Sequence, residues 1–232
     1  MLQPVQKSVS GPTRTAEVLE TLRSEILTVS LHPGERLRFD ELRRTYDVGI
    51  SPLREALMHL ASEGLVVSEE RRGYRVAPVS KSDLRQIARL RGEFDSLAIR
   101  DSIELGDDHW EGRIVAAFHA LLKRPKVHAD GTIDAQWEAN HVRFHAALVS
   151  ACDMQKLMSF RQILELQAQR YRRISALYAA VARDDVAEHT AIRDAVLDRD
   201  ADLAGELIRE HYRKTVEALL AGIEVDRFDG FT

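Results

Sequence analysis

The chain has 232 residues, 44% hydrophobic and 30% charged, which suits one large or two modest soluble domains and excludes a disordered or fibrous chain. Its single cysteine, Cys152, excludes an intrachain disulfide and fits a reducing cytosol, and no apolar run approaches the roughly 20 residues of a membrane span. The net charge of −4 gives no general attraction for nucleic acid, because basic character is only local, in Arg36, Arg38, Arg43 and Arg44 and again in Arg71, Arg72 and Arg75.

Residues 1–13 are polar and rich in Ser, Gln, Pro and Gly, which predicts a disordered arm rather than a signal peptide. From Ala16 to Val29 the apolar residues Val18, Leu22, Ile26 and Val29 recur at helical spacing, and His32-Pro33-Gly34 stops the pattern. Asp40 to Tyr46 reads as a short helix, Asp47 to Ile50 as a turn. A second helix then begins with Ser51 as N-cap and Pro52 at the first helical position, and runs through Leu53, Ala56, Leu57 and Leu60 to Gly64. Leu65-Val66-Val67 and Tyr74-Arg75-Val76 read as two strands joined by a turn. This first domain spans residues 14–79.

Beyond it every segment has helical pattern. Helices are expected at 81–105, capped by Ser80 or Ser82, and at 107–123, 134–151, 155–181, 184–198 and 200–222, with Asp153 as a cap before the fourth. Six helices with short connections imply an antiparallel bundle over residues 80–222, followed by a tail over 223–232. The fold class is therefore mainly α: an N-terminal winged helix-turn-helix and a C-terminal six-helix bundle.

In a helix-turn-helix the second helix enters the major groove and presents its first turn to base edges. Arg54 lies in that turn, and Arg71 and Arg72 lie at the hairpin tip where a wing touches the backbone or minor groove. The order Pro33-Gly34-Glu35-Arg36-Leu37, Glu41-Leu42, Ser51-Pro52-Leu53-Arg54-Glu55-Ala56-Leu57, Leu60, Glu63-Gly64-Leu65-Val66 and Arg72-Gly73-Tyr74-Arg75-Val76 resembles the GntR family winged helix over nearly all of residues 14–79. The resemblance implies binding of double-stranded operator DNA through Arg36, Arg38, Arg43, Arg44, Ser51, Arg54, Arg71 and Arg72. Two arginines usual in the family are absent: Gly49-Ile50 stands in place of Ser/Thr-Arg, and Asp40 in place of Arg. An altered operator, or phosphate contacts shifted to Arg38, Arg43 or Arg44, is expected.

His141 and His145 are four apart and share one helix face, while His189 and His211 lie on the last two expected helices. A helix bundle can bring such elements together around an ion, and imidazole nitrogen suits Zn, Ni, Cu or Fe. The arrangement is similar to the FCD ligand-binding domain of the FadR subfamily, in its six-helix VanR-like form, over about 81–220. Arg91 and Asp95 match an Arg–acid pair of that domain. His141-Val142-Arg143-Phe144-His145 matches Asp-x-x-Phe-His with His in place of Asp, Glu188-His189 matches a Glu-His pair, and His211 a final His. The resemblance implies that His141, His145, His189 and His211 bind a divalent metal, zinc foremost, with nickel or another transition metal as alternatives. It also implies a small carboxylate effector, for which Arg91 is the candidate clamp. Asp95, four residues on, is the alternative partner for Arg91.

The whole reads as a cytoplasmic, homodimeric, ligand-responsive regulator, a repressor by preference, with no membrane attachment and no enzymatic activity. A hydrolase built on the histidines would need a general base after His141, where Val142 cannot take a proton. The remaining alternative is a helical scaffold with a purely structural metal.

Overall fold

A computed structural model describes residues 13–70, 72–128, 132–176 and 185–225. The chain divides into two compact units between Ala77 and Pro78, two residues before the expected boundary.

The first unit holds α1 (Arg14–Leu27), β1 (Arg36–Leu37), α2 (Phe39–Tyr46), α3 (Ile50–Ser62), β2 (Val66–Glu69) and β3 (Gly73–Val76). Thr13 is not part of an arm: its hydroxyl accepts the Ala16 N–H at 3.2 Å and caps α1, satisfying a donor that has no partner inside the helix. Residues 1–12 lie outside the described residues. Val18, Leu22 and Ile26 of α1 pack with Leu42, Leu53, Leu57, Leu60 and Val76 in one core. Burial of each large side chain contributes roughly 1.5–3 kcal/mol before entropy is counted.

Two local expectations need correction. Asp47 ends α2 in the left-handed conformation (φ 48°), and Gly49 then occupies the cap position, so α3 begins at Ile50. Ser51 is therefore inside the first turn and caps nothing, and Pro52 stands third, where its missing N–H again has no intrahelical acceptor to lose. The sheet has three antiparallel strands in the order β1-β3-β2, with Arg36 opposite Arg75 and Val66 opposite Val76. Two residues carry no readable period, which is why β1 was not expected. Gly64 (φ 70°) ends α3, and Gly73 (φ 86°) completes the hairpin turn that an L side chain would strain.

The second unit holds α4 (Lys81–Leu105), α5 (Asp108–Leu122), α6 (Ala135–Leu148), α7 (Gln155–Ala176), α8 (Asp185–Leu197) and α9 (Ala201–Val225). Ser80, Asp107, Asp134 and Asp200 accept the N–H of the residue three further on, at 3.0, 2.8, 2.6 and 3.0 Å. Asp153 does not cap α7; its own N–H donates to Asp101 at 3.0 Å, and the helix starts at Gln155. The helix α9 continues to Val225, past the expected start of the tail. Trp110, Ile114, Phe118, Phe144, Leu148, Ile192, Val196 and Ile208 form the core, with the Trp110 indole N–H donating to Ala147 O at 3.0 Å. Close approach of α4 and α9 requires Gly205: a Cβ there would meet Ser96 Oγ at 2.5 Å. Among the described residues no helix is long and apolar enough to cross a membrane.

Candidate functional site

The helix α3 buries Leu53, Ala56, Leu57 and Leu60 and turns its other face outward. That face carries Ser51 and Arg54, both exposed, together with Ile50 and Met58, apolar but 48% and 58% exposed. Arg54 makes no salt bridge among the described residues, so its guanidinium is available to a phosphate or to a guanine O6/N7 edge. Arg36 is exposed on β1, Arg43 is exposed on α2, and Arg72 is exposed at the hairpin turn. Arg38 pairs with Glu41 at 3.3 Å, and Arg44 donates to Asp40 O at 3.1 Å, both on the surface. Arg71 lies outside the described residues. Arg75 instead donates to Glu69 at 2.9 Å and to Gly34 O at 2.8 Å, which ties the hairpin to the segment before β1.

In the second unit Trp137, His141, Phe144, His145 and Leu148 follow helical spacing on the inner face of α6. His189 comes from α8 and His211 from α9. All four imidazoles are at most 5% exposed, and one nitrogen from each lies within 4.8 Å of the others. Neighbours hold the rings in place. Trp137 stacks on His141 with centroids 5.0 Å apart and planes 15° apart, and Glu188 meets His211 Nδ1 at 3.0 Å. A carboxylate on one imidazole nitrogen fixes the tautomer and leaves the other nitrogen as a ligand.

Burial holds His141 and His145 well below the ordinary imidazole pKa. For His141 the charge of Arg172 and the neighbouring imidazoles add to this, and for His145 the other three imidazoles do. Both are neutral at pH 7, with lone pairs available. His141 Nδ1 is buried without a hydrogen-bond partner, and the Nε2 atoms of His141 and His145 stand 3.2 Å apart. That is close to the spacing of two nitrogens bound at about 2.1 Å to one ion. By donor type and spacing, the set fits a divalent transition metal.

Around the imidazoles lies a lattice of three arginines and three carboxylates. Arg91 pairs with Glu165 and donates to the Tyr212 hydroxyl at 3.0 Å, with its guanidinium 4.1 Å from the Tyr212 ring centre. It does not pair with Asp95, the alternative that its spacing suggested. Asp95 accepts instead from Arg161 at 2.6 Å and from the Tyr212 hydroxyl. Arg172 joins Glu138 and Glu165, each at 2.7 Å. Burial pushes the Glu165 pKa up, but Arg91 and Arg172 overcome it and hold the carboxyl down at about 2. Glu138, Arg161, Glu165, Arg172 and Tyr212 were not singled out from sequence. Their only signal is the spacing of Arg161, Glu165 and Arg172 along one face of α7, a pattern that ordinarily marks a solvated surface.

Residues 14–76 match the family model described as bacterial regulatory proteins, gntR family, and residues 86–214 match the FCD domain. The chain is 36% identical over 202 residues to the uncharacterized HTH-type transcriptional regulator BphR of Paraburkholderia xenovorans (strain LB400), covering 86% of this chain and 82% of that protein. It is 34% identical over 194 residues to the HTH-type transcriptional repressor GlaR of Escherichia coli (strain K12), covering 82% and 88%. Among solved structures, E. coli McbR/YncC shares the fold with a TM-score of 0.72 at 20% identity, over 90% of this chain and 98% of that one. The chain therefore belongs to the GntR family of bacterial transcriptional regulators, pairing a DNA-binding winged helix-turn-helix with an effector-binding FCD domain, and it is a regulator rather than an enzyme.

Proposed function

We propose that the chain acts as a homodimeric repressor. In this reading its FCD domain holds a divalent transition-metal ion, zinc foremost with nickel or another transition metal as alternatives, on His141, His145, His189 and His211, and a small organic acid bound there controls affinity for operator DNA. The observation that carries the reading is the convergence of four buried imidazoles from three helices. The ion would supply a Lewis-acidic positive charge. The arginine–carboxylate lattice adds no surplus negative charge to offset it, since Arg91, Arg161 and Arg172 match Asp95, Glu138 and Glu165 one for one, and Glu188 against His211 is the one further carboxylate that the histidine cluster touches among the described residues. An anion is the natural complement, and the buried Arg91 Nε, which has no hydrogen-bond partner, is a donor for its carboxylate.

Repression is supported by the name of the relative GlaR. Dimerisation is supported by an exposed apolar strip on α4 and α7, where Leu90, Leu97 and Phe160 are 45%, 51% and 57% exposed and Phe94 lies 6.5 Å from Phe160. Two copies would place two winged helices on half-sites about one DNA turn apart.

Fluorescence anisotropy with DNA flanking the gene tests the reading, using a panel of organic and sugar acids with and without chelator. At least one acid is expected to shift the DNA dissociation constant in the metal-loaded protein and to lose that effect on chelation. A shift from mostly bound to mostly free requires roughly 5 kcal/mol of preference between the two states. An acid that acts equally well after complete metal removal refutes the proposed centre. If chelation lowers the melting temperature while no acid raises it, the metal is structural only.

A further inference from the structure

The donor set of the histidine cluster contains no oxygen. Among the described residues, the group able to hold an ion consists of His141, His145, His189 and His211 alone. The buried carboxylates nearby are engaged elsewhere, Asp95 by Arg161, Glu165 by Arg91 and Arg172, and Glu138 by Arg172, while the half-buried Glu188 meets the far nitrogen of His211. His141 is decisive in this arrangement. It lies one turn before His145 on α6, its ring is clamped against Trp137, and its Nε2 stands 3.2 Å from that of His145. An oxygen ligand at this one position would change the character of the site, since the other three donors are imidazoles in any case.

Resting on the metal-centre reading above, we propose that His141 is the selectivity residue of the site. It makes the donor set entirely nitrogen and electrically neutral, so that Zn2+, Ni2+, Co2+ and Cu2+ are accepted while Mg2+ and Mn2+ are refused. Hard cations are bound mainly by carboxylate, carbonyl and water oxygen, and Mg2+ surrenders its own water reluctantly, so four imidazoles in a buried pocket offer it little. Imidazole is a strong donor for the later first-row ions, whose affinities already exceed that of Mn2+ for any nitrogen site. Replacing one imidazole by a carboxylate would add a negative charge and an oxygen, and would narrow the gap from the Mn2+ side.

The test uses full-length protein stripped of metal by chelator and dialysis, then titrated separately with ZnCl2, NiCl2, MnCl2 and MgCl2 against a chromophoric chelator. Thermal shift on the same samples is a second readout. Native protein is expected to bind Ni2+ more than about a hundredfold tighter than Mn2+, and to show no Mg2+ shift. In His141→Asp the Ni2+-to-Mn2+ ratio is expected to fall by more than about fivefold, and His141→Asn, without the charge, is expected to fall less. A native ratio below about a hundredfold, or an unchanged ratio in a folded His141→Asp protein, overturns the proposal. If His141→Asp fails to fold, the ratio in His141→Asn decides, and a ratio unchanged from native there overturns the proposal. Absence of binding for every ion is a different outcome, which refutes the metal centre itself.

Discussion

Arg172 of α7 reaches Glu138 of α6 through two nitrogens that donate to the same oxygen, at 3.0 and 2.7 Å, while the second oxygen of Glu138 is buried with no partner. The same guanidinium also donates to Glu165 at 2.7 Å. One arginine therefore bridges two buried carboxylates from two helices, sharing Glu165 with Arg91. Arg172→Ala leaves both acids without that charge, and removal of one member of a buried ion pair costs about 3–5 kcal/mol. Urea denaturation should show a loss of that order, and a loss below about 1 kcal/mol would mean that the lattice relaxes by admitting water.

Acid should attack this lattice before it attacks the core. Glu165 has its pKa depressed to about 2 against an ordinary value of 4.5, despite burial, by the charges of Arg91 and Arg172. A depressed carboxylate contributes stability that is present above its unfolded pKa and is lost as pH falls through its folded pKa. Here that window runs from about pH 5 down to about pH 2, and the contribution at stake is about 3 kcal/mol. Unfolding free energies at pH 7, 5 and 3 are expected to decline more steeply in native protein than in Glu165→Gln. Parallel declines would assign the acid sensitivity to other groups.

The winged helix should lose DNA without losing its fold when the outward face of α3 is trimmed. Arg54 is exposed and free of salt bridges among the described residues, so Arg54→Ala should leave the melting temperature unchanged. Specific operator binding should weaken by about 1–3 kcal/mol if Arg54 reads a guanine. A phosphate contact would instead weaken all sequences alike and lower the salt dependence by about one ion. Unaltered anisotropy titrations at every salt concentration would remove Arg54 from the interface.

The apolar strip of α4 and α7 makes a prediction about assembly. A charge at its most exposed point, Phe160→Asp, should dissociate a dimer formed through this face while the bundle core, which Phe160 does not join, stays folded. Sedimentation velocity at micromolar concentration is expected to show dimer for native protein and monomer for the variant. A dimer that survives the substitution uses another surface.

Much of the architecture was legible in the chain itself, because helix starts and stops are decided by near neighbours. Ser80, Gly64 and Gly106 end or begin helices where their local chemistry requires, and the spacing of His141 and His145 alone sets both on one face of α6. Where local rules compete, sequence reasoning erred: Ser51 was a good cap by type, but the left-handed Asp47 lets Gly49 take that place. The union of α6 with His189 of α8 and His211 of α9 came from family resemblance, since no spacing encodes which faces of distant helices will meet. The arginine–carboxylate lattice was invisible for a stronger reason. A charged stripe on α7 is stable at the surface or, fully paired, inside, and only the packing of α4, α6 and α9 against it decides which; Arg161, Glu165 and Arg172 are buried because Asp95, Glu138 and Arg91 arrive from other helices to meet them.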